Sequence, residues 1–403
     1  MSQLKTGCRL AIVADDLTGA LDATAPFAAR GADARVVISL AALDDVLTSW
    51  DGVWPDVIAV NTESRHLGAA EAAERVADAT QRLARAAPAA WLKKIDSTLR
   101  GQVVAECIAM REATGLPILL APAVPAQGRM VREAEVWVDG VRLAESAYQG
   151  DARSSPLSGP LDGAFEAGGV KLARYAGGDA ALFQGHGDVV ADADSDLALA
   201  RLYDAALGAG IPRLMVGAAG LATAMAQRCF GTLRGSHRSL SSVSAVLYVV
   251  GSRSPRAAEQ LARLRCELPS LPVIEALNPP CAMPNVDAAL LVPRLMPSSG
   301  SSRALGGSAM VEAEEVAWAM AEGVAQILEV WPHGRETLLF LTGGDIAMAT
   351  LIRLGVTSIN VEAEWAPGVA LGCLDGDPSR RVMTKAGGFG APDLLQLLHR
   401  TFH

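Results

Sequence analysis

The sequence predicts an α/β protein of two domains, each with a mainly parallel sheet flanked by helices. Three observations lead there. A chain of 403 residues exceeds the size at which a single hydrophobic core stops growing. A short apolar run, a turn of Gly, Asp or Ser, and an alanine-rich stretch at helical spacing recur along it. One segment past the middle is poor in apolar residues and rich in Ser, Gly and Arg.

The recurring unit is clearest in "RLAIVADDLTGALDATAPFAARG" from Arg9, "PRLMVGAAGLATAMAQRC" from Pro212, "AVLYVVGSRSPRAAEQLARL" from Ala245 and "TLLFLTGGDIAMATLIRLG" from Thr337. Strands that alternate with helices pair in parallel, and ligands of such sheets sit beyond the carboxyl ends of the strands. The turns are therefore the places to look for chemistry. "GTLRGSHRSLSSVS", after Phe230, has the composition of a linker. It sets a first domain over 1–235, a linker over 236–244 and a second domain over 245–403. A further polar stretch, "PSSGSSRALGGS" from Pro297, reads as a mobile loop within the second domain.

Half of the residues are hydrophobic and 39 are glycine, a globular composition. The net charge of −9 supplies no general attraction for nucleic acid or an anionic membrane. Any anion must be held locally. Cys8, Cys107, Cys229, Cys266, Cys281 and Cys373 are scattered without CxxC spacing, and the start lacks a signal-peptide core, so the expectation is a reducing compartment, the cytoplasm. No apolar run approaches the roughly 20 residues of a membrane span. The six histidines show no ligand spacing, and none is assigned to a metal.

In the second half, "LTGGDIA" ends an apolar run at Gly343 and Gly344, with Asp345 read as the helix N-cap and Ile346, Ala349, Ile352 and Leu354 as its apolar face. Paired glycines let backbone N–H groups approach an anion at a helix start, which suits phosphate. A plain capped turn explains the same letters. "TKAGGFG" sets Lys385 beside Gly387, Gly388 and Gly390, and "VVGSRSP" offers Ser252 and Ser254 ahead of Pro255 at a helix start. No GxxxxGK[ST] and no complete dinucleotide fingerprint occurs.

In the first half, "VADDLTGALD" puts Asp15 and Asp16 at a strand end, Thr18 and Gly19 on the turn and Asp22 one helical turn on. Clustered carboxylates accept hydrogen bonds from substrate hydroxyls, remove a proton or hold magnesium through water; they equally cap a helix. "VNTESRHL" carries Arg65, suited to bidentate carboxylate recognition although a surface arginine is the commoner fate, and "APAVPAQGRMV" carries Gln127, Gly128 and Arg129, which a proline-rigid loop explains equally. "KKIDSTLRG" reads as a strand running in through Trp91, Leu92 and Ile95, a cap at Ser97 or Thr98, and a helical face of Leu99, Val103, Cys107 and Met110. It presents Asp96 and Arg100, with Lys93 as a solvated neighbour.

Taken in order, "ADDLTGALD", "NTESR", "KIDSTLRG", "PAQGR", "VGAAGLATAMA", "VGSRSP", "LTGGDIA", "PGVALG" and "TKAGGFG" resemble the four-carbon acid sugar kinase family over nearly the whole chain. The resemblance implies a sugar-acid-binding first domain, a nucleotide-binding second domain and transfer of the γ-phosphate of ATP, with Mg2+, to the 4-hydroxyl of a tetronate. It implies that Asp16, Arg65, Asp96, Ser97, Arg100 and Arg129 face the substrate, and that Ser254, Gly343, Gly344, Asp345, Gly387 and Gly388 line the ATP site. On this reading Arg65, Arg100 and the Asp15/Asp16 turn hold the sugar acid, and Asp16 or Asp96 is the base. Two departures stand out: Ile346 where the family usually has Thr, and Val124 where an aromatic is more common.

An intact KIDSTLRG favours D-threonate or D-erythronate over an oxo-tetronate substrate. The partners expected are thus a small sugar acid and ATP, with no nucleic acid or membrane, the chain acting alone or as a homodimer. Two other classes compete: a non-catalytic sugar-acid or nucleotide sensor, which Ile346 favours, and a dehydrogenase, which the absent fingerprint disfavours.

Overall fold

A computed structural model describes residues 7–146, 148, 156–178, 180–233, 240, 243–252, 254–277, 280–283, 285–293, 309–332 and 337–401. The chain divides into two compact units, Met1–Gly235 and Ser236–His403. Most of the expected linker (236–239, 241 and 242) and the whole polar stretch 297–308 lie outside the described residues.

In the first unit the elements run β1 (Leu10–Ala14), α1 (Leu17–Ala28), β2 (Ala34–Val37), α2 (Leu40–Ser49), β3 (Val57–Asn61), α3 (Ala69–Leu83), β4 (Trp91–Lys94), α4 (Val103–Thr114) and β5 (Ile118–Ala121). They continue with β6 (Arg129–Arg132), β7 (Glu135–Val138), β8 (Val141–Arg142), α5 (Leu161–Ala167), β9 (Leu172–Tyr175), β10 (Asp188–Ala191), α6 (Asp196–Gly208), β11 (Leu214–Gly217) and α7 (Ala219–Phe230). Eight strands pair in parallel in the order β2-β3-β1-β4-β11-β5-β10-β9. Strands covered on both faces are continuously apolar rather than alternating, and "LAIVA" and "ILLA" are buried at every position. One set of helices, α1, α6 and α7, packs together, and α2, α3 and α4 form another. Right-handed crossovers produce this division, because β1 to β2 and β10 to β11 step one way along the sheet while β2 to β5 steps the other.

The register sets Ala14 level with Asn61 and Lys94, and Lys94 level with Gly217. The turns after β1, β3 and β4 thus emerge side by side where α1 and α4 depart to opposite faces. This is the topological switch point, the crevice where such sheets bind ligands. A small antiparallel sheet, β6-β7-β8, which the sequence patterns did not announce, carries Arg129 at its first position.

The second unit comprises β12 (Ala245–Val250), α8 (Pro255–Glu267), β13 (Val273–Glu275), β14 (Ala288–Val292), α9 (Ala309–Val330), β15 (Thr337–Thr342), α10 (Gly344–Arg353), β16 (Ser358–Ala366), β17 (Val369–Leu374), β18 (Arg381–Lys385) and α11 (Leu394–Arg400). Its strands run β13-β14-β12-β15-β18-β17-β16, parallel up to β18 and antiparallel beyond. Tyr248 and Phe340, tilted with centroids 6.0 Å apart, anchor a core that reaches Leu264 and Leu398. Val250, Thr342 and Lys385 end level, so the turns after β12, β15 and β18 cluster.

Candidate functional site

Asp15 and Asp16 follow β1, and one arginine holds both. Arg65, in the turn after β3, donates from Nε and Nη2 to the two Asp15 oxygens at 2.7 and 2.9 Å. Its Nη1 and Nη2 reach the Asp16 oxygens at 2.6 and 2.9 Å. Asp16 is the N-cap of α1, accepting from the Gly19 backbone N–H at 2.7 Å and from the Thr18 hydroxyl at 2.6 Å. Thr18 and Gly19 therefore belong to the first helical turn, one step beyond the turn expected for them. Burial alone would raise the Asp15 carboxyl, but the Arg65 guanidinium, helped by Lys93 and Lys94, holds it below the usual carboxylate range.

The turn after β4 is organised on Asp96 rather than on a helix cap. Arg100 donates to it in bidentate fashion, Nε to Oδ2 at 2.8 Å and Nη2 to Oδ1 at 2.9 Å. The Thr98 hydroxyl and backbone N–H also donate to Oδ2, and Arg65 Nη2 lies 4.0 Å from Oδ1. Against the cost of burial, these bonds from Arg100 and the nearby Arg65 hold Asp96 well below its ordinary value. Neither Ser97 nor Thr98 caps α4. That helix begins at Val103 with Gln102 as its cap residue, because the chain needs the intervening residues to wrap Asp96. Leu99, Val103, Cys107 and Met110 are all buried as expected, but Leu99 sits ahead of the helix with φ at 57°. A left-handed leucine costs about 1–3 kcal/mol and persists only where surroundings hold it. Gly101 follows with φ at 85°, and a Cβ there would lie 3.2 Å from Asp15 Oδ2.

Lys93 is not a solvated neighbour. It is fully buried and pairs with Glu106 of α4 at 2.8 Å. Glu106 also accepts from the Ser64 hydroxyl at 2.7 Å, and Ser64 joins Thr62 at 2.7 Å. A charged pair beneath the sheet end thereby fixes the turn that carries Arg65. Lys94, whose side chain comes out on the opposite face of β4, is buried as well, and its ammonium donates to Ile95 O at 3.1 Å. Arg129 donates to the Gln127 side chain at 2.7 Å and to Tyr148 at 3.3 Å.

In the second unit the cluster is built from backbone and small side chains. Ser254 caps α8, accepting from Ala257 N at 3.1 Å while its hydroxyl donates to Gly387 O at 2.6 Å. A Cβ on Gly387 would fall 1.9 Å from Ser252 Oγ, so only glycine fits. Gly343, with φ at 103°, donates its N–H to Lys385 O at 3.1 Å and is the N-cap of α10. Asp345 is thus the second helical residue and not the cap, since Gly343 alone can take the positive φ that turns the chain into the helix. Ile346 and Ala349 are buried as expected, whereas Ile352 is 45% exposed. Lys385 is 2% exposed, and its ammonium donates to the carbonyls of Ala386 at 3.2 Å and Gly387 at 3.1 Å. Among the described residues no carboxylate pairs with it. Burial, with Arg256 nearby, pulls its ammonium down to about 8.

Each half of the chain matches a family profile. Residues 10–225 match the Sugar-binding N-terminal domain and residues 247–395 the Nucleotide-binding C-terminal domain. The chain belongs to the four-carbon acid sugar kinase family. It is 34% identical to a D-threonate kinase of Cupriavidus necator, covering 95% of each chain. With a D-erythronate kinase of Heliobacterium modesticaldum it shares 26% identity, over 95% of this chain and 94% of the other. The solved Haemophilus influenzae protein HI1011 has the same fold, at 20% identity and a TM-score of 0.71, covering 98% of this chain and all of that one.

For this family member, the structure brings together Asp15, Asp16, Arg65, Asp96, Ser97 and Arg100 at one sheet end. Arg129 approaches from the small sheet, within electrostatic reach of Asp22 on α1. Ser254, Gly343, Gly344, Asp345, Gly387 and Gly388 lie in the turns and the α10 start that follow the second unit's strands β12, β15 and β18. Lys94 and Glu106 escaped the sequence reading. A lysine in a strand and a glutamate in a helix carry no local signal, and only the parallel register shows that both are interior.

Proposed function

We propose that this chain is an ATP-dependent kinase that phosphorylates the 4-hydroxyl of a four-carbon sugar acid, D-threonate first and D-erythronate second. The observation that carries the reading is the group of turns at the switch point of the first unit, where Arg65 and Arg100 each fork onto carboxylates within a part-buried cluster of two arginines and three aspartates. A small polyhydroxy acid needs such alternating donors and acceptors. The identity with a D-threonate kinase supports that order of substrates.

The first unit is read as the sugar-acid site. Arg100, Arg129 and the Ser97 hydroxyl take the acid's carboxylate, while Asp15 and Asp16, clamped by Arg65, accept from its hydroxyls. The second unit is read as the MgATP site. Gly387 keeps side-chain bulk out of the cradle, the α10 start at Gly343 and Gly344 presents backbone N–H groups, and Lys385 offers a buried cation that no carboxylate neutralises among the described residues. Asp16 and Asp96 are read as fixed acceptors: Asp16 spends its oxygens on Arg65, Thr18 and Gly19, and Arg100 and Arg65 hold Asp96 well below its ordinary value.

An ADP-release screen across D- and L-threonate, D- and L-erythronate and their 3-oxo and 2-oxo forms tests this, with NMR locating the phosphate. D-threonate 4-phosphate is the expected product. Tight binding of tetronates without ADP release would instead support a sensor.

A further inference from the structure

We infer that Asp22 is the catalytic proton acceptor for the sugar acid's reacting hydroxyl and that Lys94 faces the same hydroxyl from the other side. The inference rests on the kinase reading above. Asp15, Asp16 and Asp96 all spend their oxygens on arginine, threonine or backbone donors. Asp22 does not. Among the described residues its carboxylate has neither a hydrogen bond nor an ion pair, although it is only partly exposed.

Its position follows from α1. A Cβ built on Gly19 would sit 3.3 Å from Lys94 Nζ and 2.5 Å from Asp16 Oδ1, so that face of the helix lies directly over Lys94. Asp22, three residues on, is the next side chain along the same face. Lys94 is 4% exposed, its ammonium donates only to Ile95 O, and no carboxylate stands within 4.0 Å of it among the described residues. A carboxylate and an ammonium thus lie in one neighbourhood without meeting. A hydroxyl set between them would donate to the first and accept from the second. Glycine at position 19 leaves that space open.

The electrostatics agree with the geometry. Burial pushes the Asp22 carboxyl up; Lys94 opposes this, Asp16 adds to it, Arg129 opposes and Asp96 adds. A general base works best when its pKa moves toward the operating pH, which is the direction here. In the step, Asp22 takes the hydroxyl proton as that oxygen bonds to the γ-phosphorus. The bond from the γ-phosphorus to the β–γ bridging oxygen breaks, and its electron pair leaves on ADP.

The test is Asp22→Asn, which keeps the shape and removes the basic oxygen. We expect kcat for the best tetronate to fall about 100-fold or more, with tetronate affinity by calorimetry within about threefold of wild type. The acid limb of the kcat–pH profile should disappear. Because Lys94 holds the Asp22 pKa down, Lys94→Met should shift that limb to higher pH. This second measurement decides the matter if Asp22→Asn does not fold. Turnover within about tenfold of wild type in Asp22→Asn, or an acid limb that stays in place in Lys94→Met, overturns the assignment. A wild-type protein that releases no ADP with any tetronate refutes the kinase reading itself, a result distinguishable from either.

Discussion

The two strand-end clusters solve anion recognition in opposite ways. The turns after β1, β3 and β4 use side-chain charge: Arg65 and Arg100 fork onto Asp15, Asp16 and Asp96, and the Lys93–Glu106 pair braces them from below. The turns after β12, β15 and β18 use backbone and absent side chains: Gly343, Gly387, two serines and one lysine that, among the described residues, meets no carboxylate. Fixed charge pairs suit a small acid whose hydroxyls must be told apart. Backbone N–H groups and open space suit a phosphate chain common to every ATP.

The contrast breaks most severely at Glu106. Glu106→Ala leaves Lys93 fully buried without its partner, which should cost about 3–5 kcal/mol of stability in urea unfolding. The double change Lys93→Met with Glu106→Leu should recover most of that loss, since neither charge is then stranded. A single-variant loss below about 1 kcal/mol would show that the first cluster does not depend on its buried pair.

A pH series sharpens the contrast from the other side. Lys385, pulled down to about 8, is cationic below that pH and neutral above it. A bound phosphate favours the cation, so ATP affinity should be full below pH 8 and weaken by up to about tenfold per unit above it. Folding stability moves the opposite way. The unfolded lysine keeps its proton up to its ordinary 10.5, so the unfolded state binds more protons between the two values and stability rises with pH there. Calorimetric titration at pH 7, 8 and 9 checks the first trend, and Lys385→Met should abolish it. A flat ATP affinity across this range would remove Lys385 from the phosphate site.

How far the letters alone revealed these clusters follows the same division. Apolar runs closed by Gly, Asp or Ser announced the strands, and a parallel sheet must present its turns together, so Asp15, Arg65, Asp96, Gly343 and Gly387 were visible as strand-end residues. Conformation was less visible. Nothing local distinguishes Thr98 as a donor to Asp96 from Thr98 as a helix cap, because both roles suit a hydroxyl ahead of an apolar face. The left-handed Leu99 and the delayed start of α4 are tertiary outcomes of burying Asp96 beside Arg65. Lys93 and Lys94, adjacent and identical, differ only through strand alternation, which sends one to Glu106 and the other toward Gly19.

The smallest effect is expected at Ile346, where the family usually has threonine. Its side chain is 6% exposed, and a Cβ on Gly251 would fall 1.9 Å from its Cδ1. The isoleucine therefore fills the space that glycine leaves at the end of β12. Ile346→Thr would remove apolar volume there and bury a hydroxyl, for a stability loss of about 1 kcal/mol in thermal unfolding. The KM for ATP should stay within about threefold, because the cradle relies on backbone groups and Lys385 rather than on a side chain at this position. A tenfold drop in that KM would mean that the threonine hydroxyl regains a phosphate contact. The second cluster would then depend on side-chain chemistry as the first does, and the distinction between the two would lie in charge alone.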